Sequence, residues 1–112
     1  MNEEYSMILR GTTADFRGVE LAFFRLKNDV SEAQLLAFSE RVDNMFLANQ
    51  EGLLARFLLR GNAGHYADVT FATTQTRAEE ICQLWLSHVA AKAYLTLLDE
   101  CSVDMSFWTR IG

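Results

Sequence analysis

The chain has 112 residues, of which half are apolar and 22% are charged. That length fits a single domain with a real core, and that composition excludes intrinsic disorder. A net charge of −5 without a basic cluster argues against nucleic-acid binding. No apolar run approaches the roughly 20 residues of a membrane-spanning helix, so no membrane association is expected.

The two cysteines, Cys82 and Cys101, form no CxxC pair. The first residues are polar and acidic, unlike a secretory signal peptide. We therefore expect free thiols in a reducing compartment and a cytoplasmic protein.

The pattern of strands and helices has the order strand, helix, strand, strand, helix, strand. Residues 1–18 are expected to form a leader with room for a short extra strand at Met7, Ile8 and Leu9, and residues 19–112 form the domain. A Gly61-Asn62-Ala63-Gly64 segment predicts a hairpin between the second and third strands. The predicted strands are residues 19–27, 53–60, 65–73 and 103–111.

Two capping boxes predict where the helices begin. Ser31 with Gln34 opens the first helix, and Thr76 with Glu79 opens the second. Apolar residues then recur at helical spacing after each box, and a kink or break is expected near His88. The two stripes are Leu35, Phe38, Val42, Met45 and Phe46, and then Ile81, Leu84, Trp85 and His88.

Alternation along the strands predicts two faces for the sheet. The apolar set is Val19, Leu21 and Phe23; Leu53, Ala55, Phe57 and Leu59; Ala67, Val69 and Phe71; and Val103, Met105 and Phe107. The mixed set is Glu20, Ala22, Phe24 and Leu26; Leu54, Arg56 and Leu58; Tyr66, Asp68 and Thr70; and Asp104, Ser106 and Trp108.

Two helices cover only one face of such a sheet, and neither face resembles a solvated one. Exposing five or six large apolar side chains would forgo about 1.5–3 kcal/mol each. It would also leave a larger apolar patch than monomers usually tolerate. We therefore expect a homodimer in which one face packs under the helices and the other against a second copy.

The same order of elements resembles the ferredoxin-like fold of dimeric α+β barrels. The amino-acid sequence is similar to the antibiotic-biosynthesis-monooxygenase-like group of that superfamily. The resemblance covers roughly residues 19–111. It rests on the order of short pieces: Val19-Glu20-Leu21, Leu26-Lys27, Val30-Ser31, Glu51-Gly52-Leu53, Ala67-Asp68-Val69, Leu97-Leu98-Asp99 and Ser102-Val103.

The resemblance implies a four-stranded antiparallel sheet in βαββαβ order with two helices on one face, closing a barrel across a dimer. It implies, in some members, a pocket between sheet and helices that holds a polycyclic aromatic substrate or a haem, whereas other members have no known activity. Because pockets of the family lie there, the mixed face is expected to meet the helices. Haem-degrading members have a histidine late in the second helix, about where this chain has Tyr94, so we expect no haem and no other cofactor. Trp85 lies in the stretch that is aromatic in pocket-bearing members.

Three charged residues of the mixed face, Glu20, Arg56 and Asp68, suggest two alternatives. In the first, they orient a small polar or aromatic ligand, and burial raises the pKa of Asp68 or Glu20 so that this carboxyl can transfer a proton. Alternatively, they form an internal ion-pair network, because two carboxylates readily surround one arginine.

His88 follows Trp85 by three residues, so both side chains can face one cleft. A titrating imidazole beside an indole suits proton transfer to a phenolic substrate. The alternative is a histidine at a helix break, bonded to a nearby backbone carbonyl.

Three aromatic residues of the mixed face, Phe24, Tyr66 and Trp108, suit stacking on a flat ligand or simple core packing. No HxH or HxxxH spacing indicates a metal site.

Two functions follow from these features. The first is a dimer that binds a small, flat aromatic metabolite without established chemistry. The second is a cofactor-independent monooxygenase acting on a phenolic or quinol-like substrate. His88 or Asp68 would be its base, Trp85 and Trp108 would stack on the substrate, and Arg56 would stabilise the oxyanion. An open pocket on the mixed face favours the enzyme, and a face filled by its own side chains speaks against it.

Overall fold

The structure is a computed structural model, and it describes residues 8–9 and 15–112. Within those residues, one antiparallel sheet has the strand order β1-β3-β4-β2-β5, and three α-helices contact it or one another. The strands are β1 (Ile8–Leu9), β2 (Gly18–Arg25), β3 (Leu53–Arg60), β4 (His65–Ala72) and β5 (Asp104–Thr109). The helices are α1 (Glu32–Met45), α2 (Gln75–Leu84) and α3 (Val89–Leu95).

This is the βαββαβ order of a ferredoxin-like fold, with its second helical region divided in two. The four long strands were predicted to within two residues at each end, and the hairpin at Gly61–Gly64 joins β3 to β4 as expected. Ile8 and Leu9 form the short extra strand and pair with β3, whereas Met7 lies outside the described residues. The division of the chain at residue 18 stays a prediction.

The start of α1 is the predicted capping box. The Ser31 hydroxyl accepts the Gln34 backbone N–H at 3.2 Å, and the Gln34 side chain accepts the Ser31 backbone N–H at 2.8 Å. These bonds satisfy donors that have no partner within the helix. Leu35 and Val42 then turn the buried face of α1 toward β3 and β4.

The second helical region begins two residues earlier than predicted. Thr74, in extended conformation, caps α2 because its Oγ1 accepts the Arg77 N–H at 3.0 Å; the box assigned to Thr76 and Glu79 was wrong. The predicted break is present: α2 ends at Leu84, a 3₁₀ turn spans Trp85–Ser87, and His88 caps α3. No helix in the described part of the chain is long and apolar enough to cross a bilayer.

The mixed face meets the helices, as the resemblance implied. Strand pairing aligns Arg56, Thr70, Glu20 and Phe107 in one row across β3, β4, β2 and β5. The next row is Leu58, Asp68, Ala22 and Met105. Over this face lie Ser39 and Asp43 of α1, Cys82 of α2 and Tyr94 of α3.

The face assignment of β5 was wrong. Met105 pairs with Ala22 and Phe107 with Glu20, so both lie on the helix side, whereas Trp108 pairs with Val19 on the other face. Alternation tells which residues of one strand share a face, but a one-residue slip of register exchanges the two sets. Because Phe107 and Trp108 are adjacent, either register of β5 places one aromatic residue on each face of the sheet. The sequence of β5 therefore did not distinguish the two registers.

Leu53 was also assigned to the wrong face. The register shifts between Leu53 and Ala55, so Leu54 is the extra residue of a β-bulge. Leu53 then pairs with Ala72 and lies in the core under the helices.

The opposite face of the sheet, here called the outer face, is apolar and largely uncovered. Phe23 and Leu59 are 47% and 50% exposed, and they flank Ala67 across neighbouring strands. Its remaining large side chains are half-buried Val19, Leu21, Phe57, Val69 and Phe71, and exposed Trp108. Within residues 8–9 and 15–112, a single copy therefore leaves most of this apolar sheet face open.

Candidate functional site

A buried cluster around Arg56 joins the sheet to α1. The Arg56 guanidinium donates from Nε and Nη2 to the two carboxylate oxygens of Asp68, at 2.9 and 2.7 Å. Its Nη1 donates to Asp43 Oδ1 at 2.8 Å and to Ser39 Oγ at 2.9 Å. The side chain of Arg56 is 2% exposed, so these are bonds of a dry interior.

Two aromatic rings enclose the same cluster. The Tyr94 hydroxyl donates to Asp68 Oδ2 at 3.0 Å, and burial, together with the Asp68 charge, holds the tyrosine pKa well above its usual value. The Arg56 guanidinium carbon lies 5.6 Å from the centre of the Trp85 ring and 5.4 Å from that of Tyr94. Such cation–π contacts gain strength away from water.

Arg56, Asp43, Asp68 and Tyr94 therefore form an internal network, the structural alternative for Arg56 and Asp68. Burial alone would lower the pKa of Arg56, but the Asp68 and Asp43 charges raise it above its usual value, so the guanidinium stays charged. Asp68 accepts three side-chain hydrogen bonds, which hold it in the network as the anchor of Arg56 and Tyr94; as a base for a bound substrate, Asp68 stays a prediction. In the described part of the chain, every buried side-chain polar atom has a hydrogen-bond partner.

Glu20 stands next to this network without joining its hydrogen bonds to Arg56. It is 8% exposed and lies between Thr70 and Phe107 of the flanking strands. Burial, followed by the Asp68 charge, raises the Glu20 pKa to about 7, although Arg56 and the Cys82 thiol act in the opposite direction. A carboxyl that titrates near neutrality can exchange a proton at physiological pH.

Cys82 of α2 is the neighbour of Glu20 on the helix side. Burial, with the neighbouring Glu20 carboxyl, raises the Cys82 pKa to about 12, so the thiol is protonated at neutral pH. Both cysteines are free thiols, as predicted.

The helices cover the sheet unevenly on this side. Glu20 and Phe24 of β2 are buried, yet Ala22 between them is only half-buried. Met105, beside Ala22 on β5, is 41% exposed. The sheet surface at Ala22 and Met105 is therefore partly open to solvent on the helix side. We name this region, formed by Glu20, Ala22, Cys82, Met105 and Phe107, the Glu20 cleft.

His88 does not join this cleft through any contact of the described structure. Its Nδ1 accepts the Ala90 backbone N–H at 3.1 Å, and its ring lies 5.0 Å from that of Phe46. The first contact makes His88 the N-cap of α3, so the expected bond to a carbonyl was wrong in its direction. As a base for a bound substrate, His88 stays a prediction.

The predicted stacking residues separate into two groups. Phe24 packs in the core with its ring centre 5.8 Å from that of Tyr66, whose hydroxyl donates to Glu32 at 3.0 Å. Trp85 is buried against Phe46 and Tyr94. Trp108 lies on the outer face, 54% exposed, with its indole N–H donating to Ser106 at 2.8 Å. Phe24, Tyr66 and Trp85 therefore belong to the helix-side core. Trp108 lies on the opposite face of the sheet, so it cannot share a site with them in one chain.

Sequence reasoning missed Asp43 and Tyr94 as network members and Ala22, Cys82 and Met105 as cleft residues. Asp43 follows Ser39 by four residues on the buried side of α1, and a carboxylate in an apolar stripe is the signal that would have found it. Small Ala22 between Glu20 and Phe24 indicates space on the mixed face. The proximity of Met105 depends on the β5 register, which the sequence leaves open.

A second, shallow depression of about 330 Å³ lies where α2 begins. It contains none of the predicted site residues. Its arginine, Arg77, already donates to the Glu51 carbonyl at 2.6 Å and to Glu80 at 3.3 Å. Its lining is Glu51, Gly52, Thr73, Thr74, Thr76, Arg77 and Glu80.

The fold is similar to that of several solved structures. SnoaB, a cofactor-independent oxygenase from Streptomyces nogalater, matches with a TM-score of 0.65 and 16% identity over 87% of this chain and 95% of that chain. An uncharacterised ferredoxin-fold protein from Listeria monocytogenes, related to antibiotic biosynthesis monooxygenases, has a TM-score of 0.67 and 13% identity over 91% of this chain and 60% of that chain. A dimeric ferredoxin-like protein from an uncultured marine organism has a TM-score of 0.61 and 10% identity over 90% of this chain and 93% of that chain.

No protein-family model and no curated protein sequence matches the chain. Identities this low show a shared fold and carry no activity with them. The fold class and the resemblance indicated by the sequence are confirmed: the chain has a ferredoxin-like α+β fold, and its structural neighbours are ferredoxin-fold proteins related to the antibiotic biosynthesis monooxygenases.

Proposed function

We propose that this protein is a homodimer that binds a small, flat organic molecule in the Glu20 cleft of each subunit. The observation that carries the proposal is the accessible floor of the sheet at Ala22 and Met105, directly beside buried Glu20. A mostly apolar recess with one polar group of perturbed pKa is the usual character of a ligand site.

The dimer is supported by the outer face. Three rows of mostly apolar side chains cross β3, β4, β2 and β5, and among the described residues most of their large side chains are half-buried or exposed. Packing them against a second copy buries surface that would otherwise favour association with other partners. The dimeric ferredoxin-like neighbour is in keeping with this arrangement.

Substituting two exposed residues of the outer face tests the dimer. In Phe23→Asp with Leu59→Asp, two charges enter the proposed interface, whereas the helix-side core is untouched. Sedimentation equilibrium should give a dimer for the wild type and a folded monomer for the variant. A wild-type monomer, or a variant that dimerises with unchanged affinity, contradicts the proposed interface.

Filling the cleft tests the binding site. Ala22→Leu places a larger side chain on its floor, and Ala37→Leu makes the same change on the exposed surface of α1. In a thermal-shift screen of flat aromatic compounds, a ligand that binds the native state raises the melting temperature. We expect hits that stabilise the wild type and Ala37→Leu but not Ala22→Leu. Hits that stabilise all three equally place the ligand elsewhere.

A second candidate function, cofactor-independent monooxygenation, is favoured by one observation: Glu20 has a pKa near 7 within the cleft. Glu20 would take the proton of a phenolic substrate, and the resulting carbanion would reduce O₂ directly. A ring CH₂ then becomes C=O, with one oxygen atom entering the product and the other leaving as water. Arg56 is unsuited to the oxyanion role because Asp68, Asp43 and Ser39 engage its donors.

Oxygen consumption with anthrone- and quinol-type compounds tests the second function. If the protein is a monooxygenase, its rate of oxygen consumption should exceed that of the uncatalysed oxidation. This excess should be lost in Glu20→Gln and kept in Glu79→Gln, a change on α2. Binding without accelerated oxygen uptake leaves the protein a binding module.

A further inference from the structure

We infer that the molecule bound in the Glu20 cleft presents a cationic group, an ammonium or amidinium attached to a flat apolar body, to the Glu20 carboxylate. This inference rests on the proposed function, because it names the ligand class of the same cleft. It follows from which charges in the cluster are already engaged and which are not.

Arg56 is unavailable to an anionic ligand. All three of its guanidinium nitrogens donate to side chains of the chain itself, with distances between 2.7 and 2.9 Å. Asp43 and Asp68, which take three of these bonds, are buried together with it. A ligand carboxylate would have to displace one of them and leave a buried aspartate without its cation, which is strongly unfavourable.

Among the described residues, Glu20 is the carboxyl of this cluster that forms no ion pair, whereas Asp43 and Asp68 both pair with Arg56. The charged groups that act on it are Asp68 from β4, which disfavours its ionisation, and Arg56 from β3, which favours it. From α2, its partner is the uncharged Cys82 thiol. Since Arg56 is already engaged by Asp43 and Asp68 in the described part of the chain, ionised Glu20 adds a negative charge that a bound cation would neutralise.

The remainder of the cleft accepts an apolar body. Ala22 forms the floor, and Met105 and Phe107 line the β5 side. The thioether and the aromatic ring offer polarizable surface to a flat molecule. A compound with one cationic end and one aromatic end therefore matches both parts of the cleft.

Three compounds of one shape test the inference: naphthylmethylamine, naphthylmethanol and naphthoate, which are cationic, neutral and anionic. Each is titrated into the full chain labelled with ¹³C at the methionine methyl groups, and the shift of Met105 gives the dissociation constant. A charge-assisted bond to Glu20 should make the amine bind about tenfold tighter than the alcohol at neutral or higher pH. Its affinity should rise about tenfold between roughly pH 6 and pH 8, as Glu20 ionises.

The Glu20→Gln variant, with Glu79→Gln as its control, completes the test. We expect Glu20→Gln to remove both the preference for the amine and its pH dependence, whereas Glu79→Gln keeps both. If the alcohol or the naphthoate moves Met105 at equal or lower concentration than the amine, the cation inference is overturned and the binding site stands. If none of the three moves Met105, the proposed binding function falls with it.

Discussion

Replacing Glu20 by glutamine should change the pH dependence of stability in a defined way. The folded protein raises the Glu20 pKa from 4.5 to about 7, so folding takes up a proton between these values. The wild type therefore keeps its full stability below pH 4.5 and loses part of it as the pH rises through 7. A shift of about 2.5 units at 1.36 kcal/mol per unit is a loss of about 3 kcal/mol.

Urea unfolding monitored by circular dichroism measures this effect. Curves for the wild type and Glu20→Gln are recorded from acid to mildly alkaline pH at one protein concentration, because the stability of the proposed dimer would depend on concentration. The variant should gain on the wild type by about 3 kcal/mol over that range, since glutamine does not titrate. Glu79→Gln serves as the matched carboxyl-to-amide control. A difference between Glu20→Gln and wild type that stays constant with pH would refute the assignment of Glu20 as the buried titrating group.

Three further substitutions address the surrounding contacts, each measured by urea unfolding. Arg56→Lys loses the planar guanidinium that binds Asp68 and Asp43 and should lower the free energy of unfolding by about 3–5 kcal/mol. Arg60→Lys, at the exposed ion pair with Glu32, should lower it by less than about 0.5 kcal/mol. Similar losses in the two variants would contradict the buried network. Tyr94→Phe removes one bond to a charged group and should cost about 2 kcal/mol; a neutral result would mean that this bond contributes nothing net. His88→Ala should cost about 1 kcal/mol through the lost cap of α3, and His88→Asn should restore most of it; no recovery with Asn would contradict the capping role.

The fold was predictable because its signals are local or periodic. Ser31 and Gln34 mark the start of α1 through a capping box, and the strands alternate with period two. The apolar residues on both faces of the strands also required a partner for each face. These features determine which elements form and that one sheet face lies under helices.

The positions that were wrong depend on relations between elements. Trp108 and Met105 exchanged faces because nothing within β5 sets its register against β2. Leu53 moved into the core through a bulge that leaves no clear mark in the sequence. Thr74 and Thr76 are both good N-cap residues, and in the structure it is Thr74 that adopts the extended conformation and caps α2.

The candidate site was predicted in part for the same reason. Glu20, Arg56 and Asp68 share the mixed face, as their strand positions required. Tyr94 enters the network only because the break at His88 turns α3 toward the sheet, so that its hydroxyl reaches Asp68. Asp68 is the anchor and Glu20 the titrating carboxyl because Arg56 contacts Asp68 and not Glu20. The sequence alone does not show which of the two carboxyl groups lies within hydrogen-bonding distance of Arg56.

The most direct test of the account is a methyl NMR titration of the wild type with flat aromatic compounds. Met105 lies in the Glu20 cleft, and Met45, also exposed, lies on α1 as an internal control. We predict that at least one compound shifts the Met105 methyl resonance saturably and leaves the Met45 methyl resonance unchanged. If no compound moves Met105, or if both methyl groups shift alike, the cleft beside Glu20 is not a ligand site.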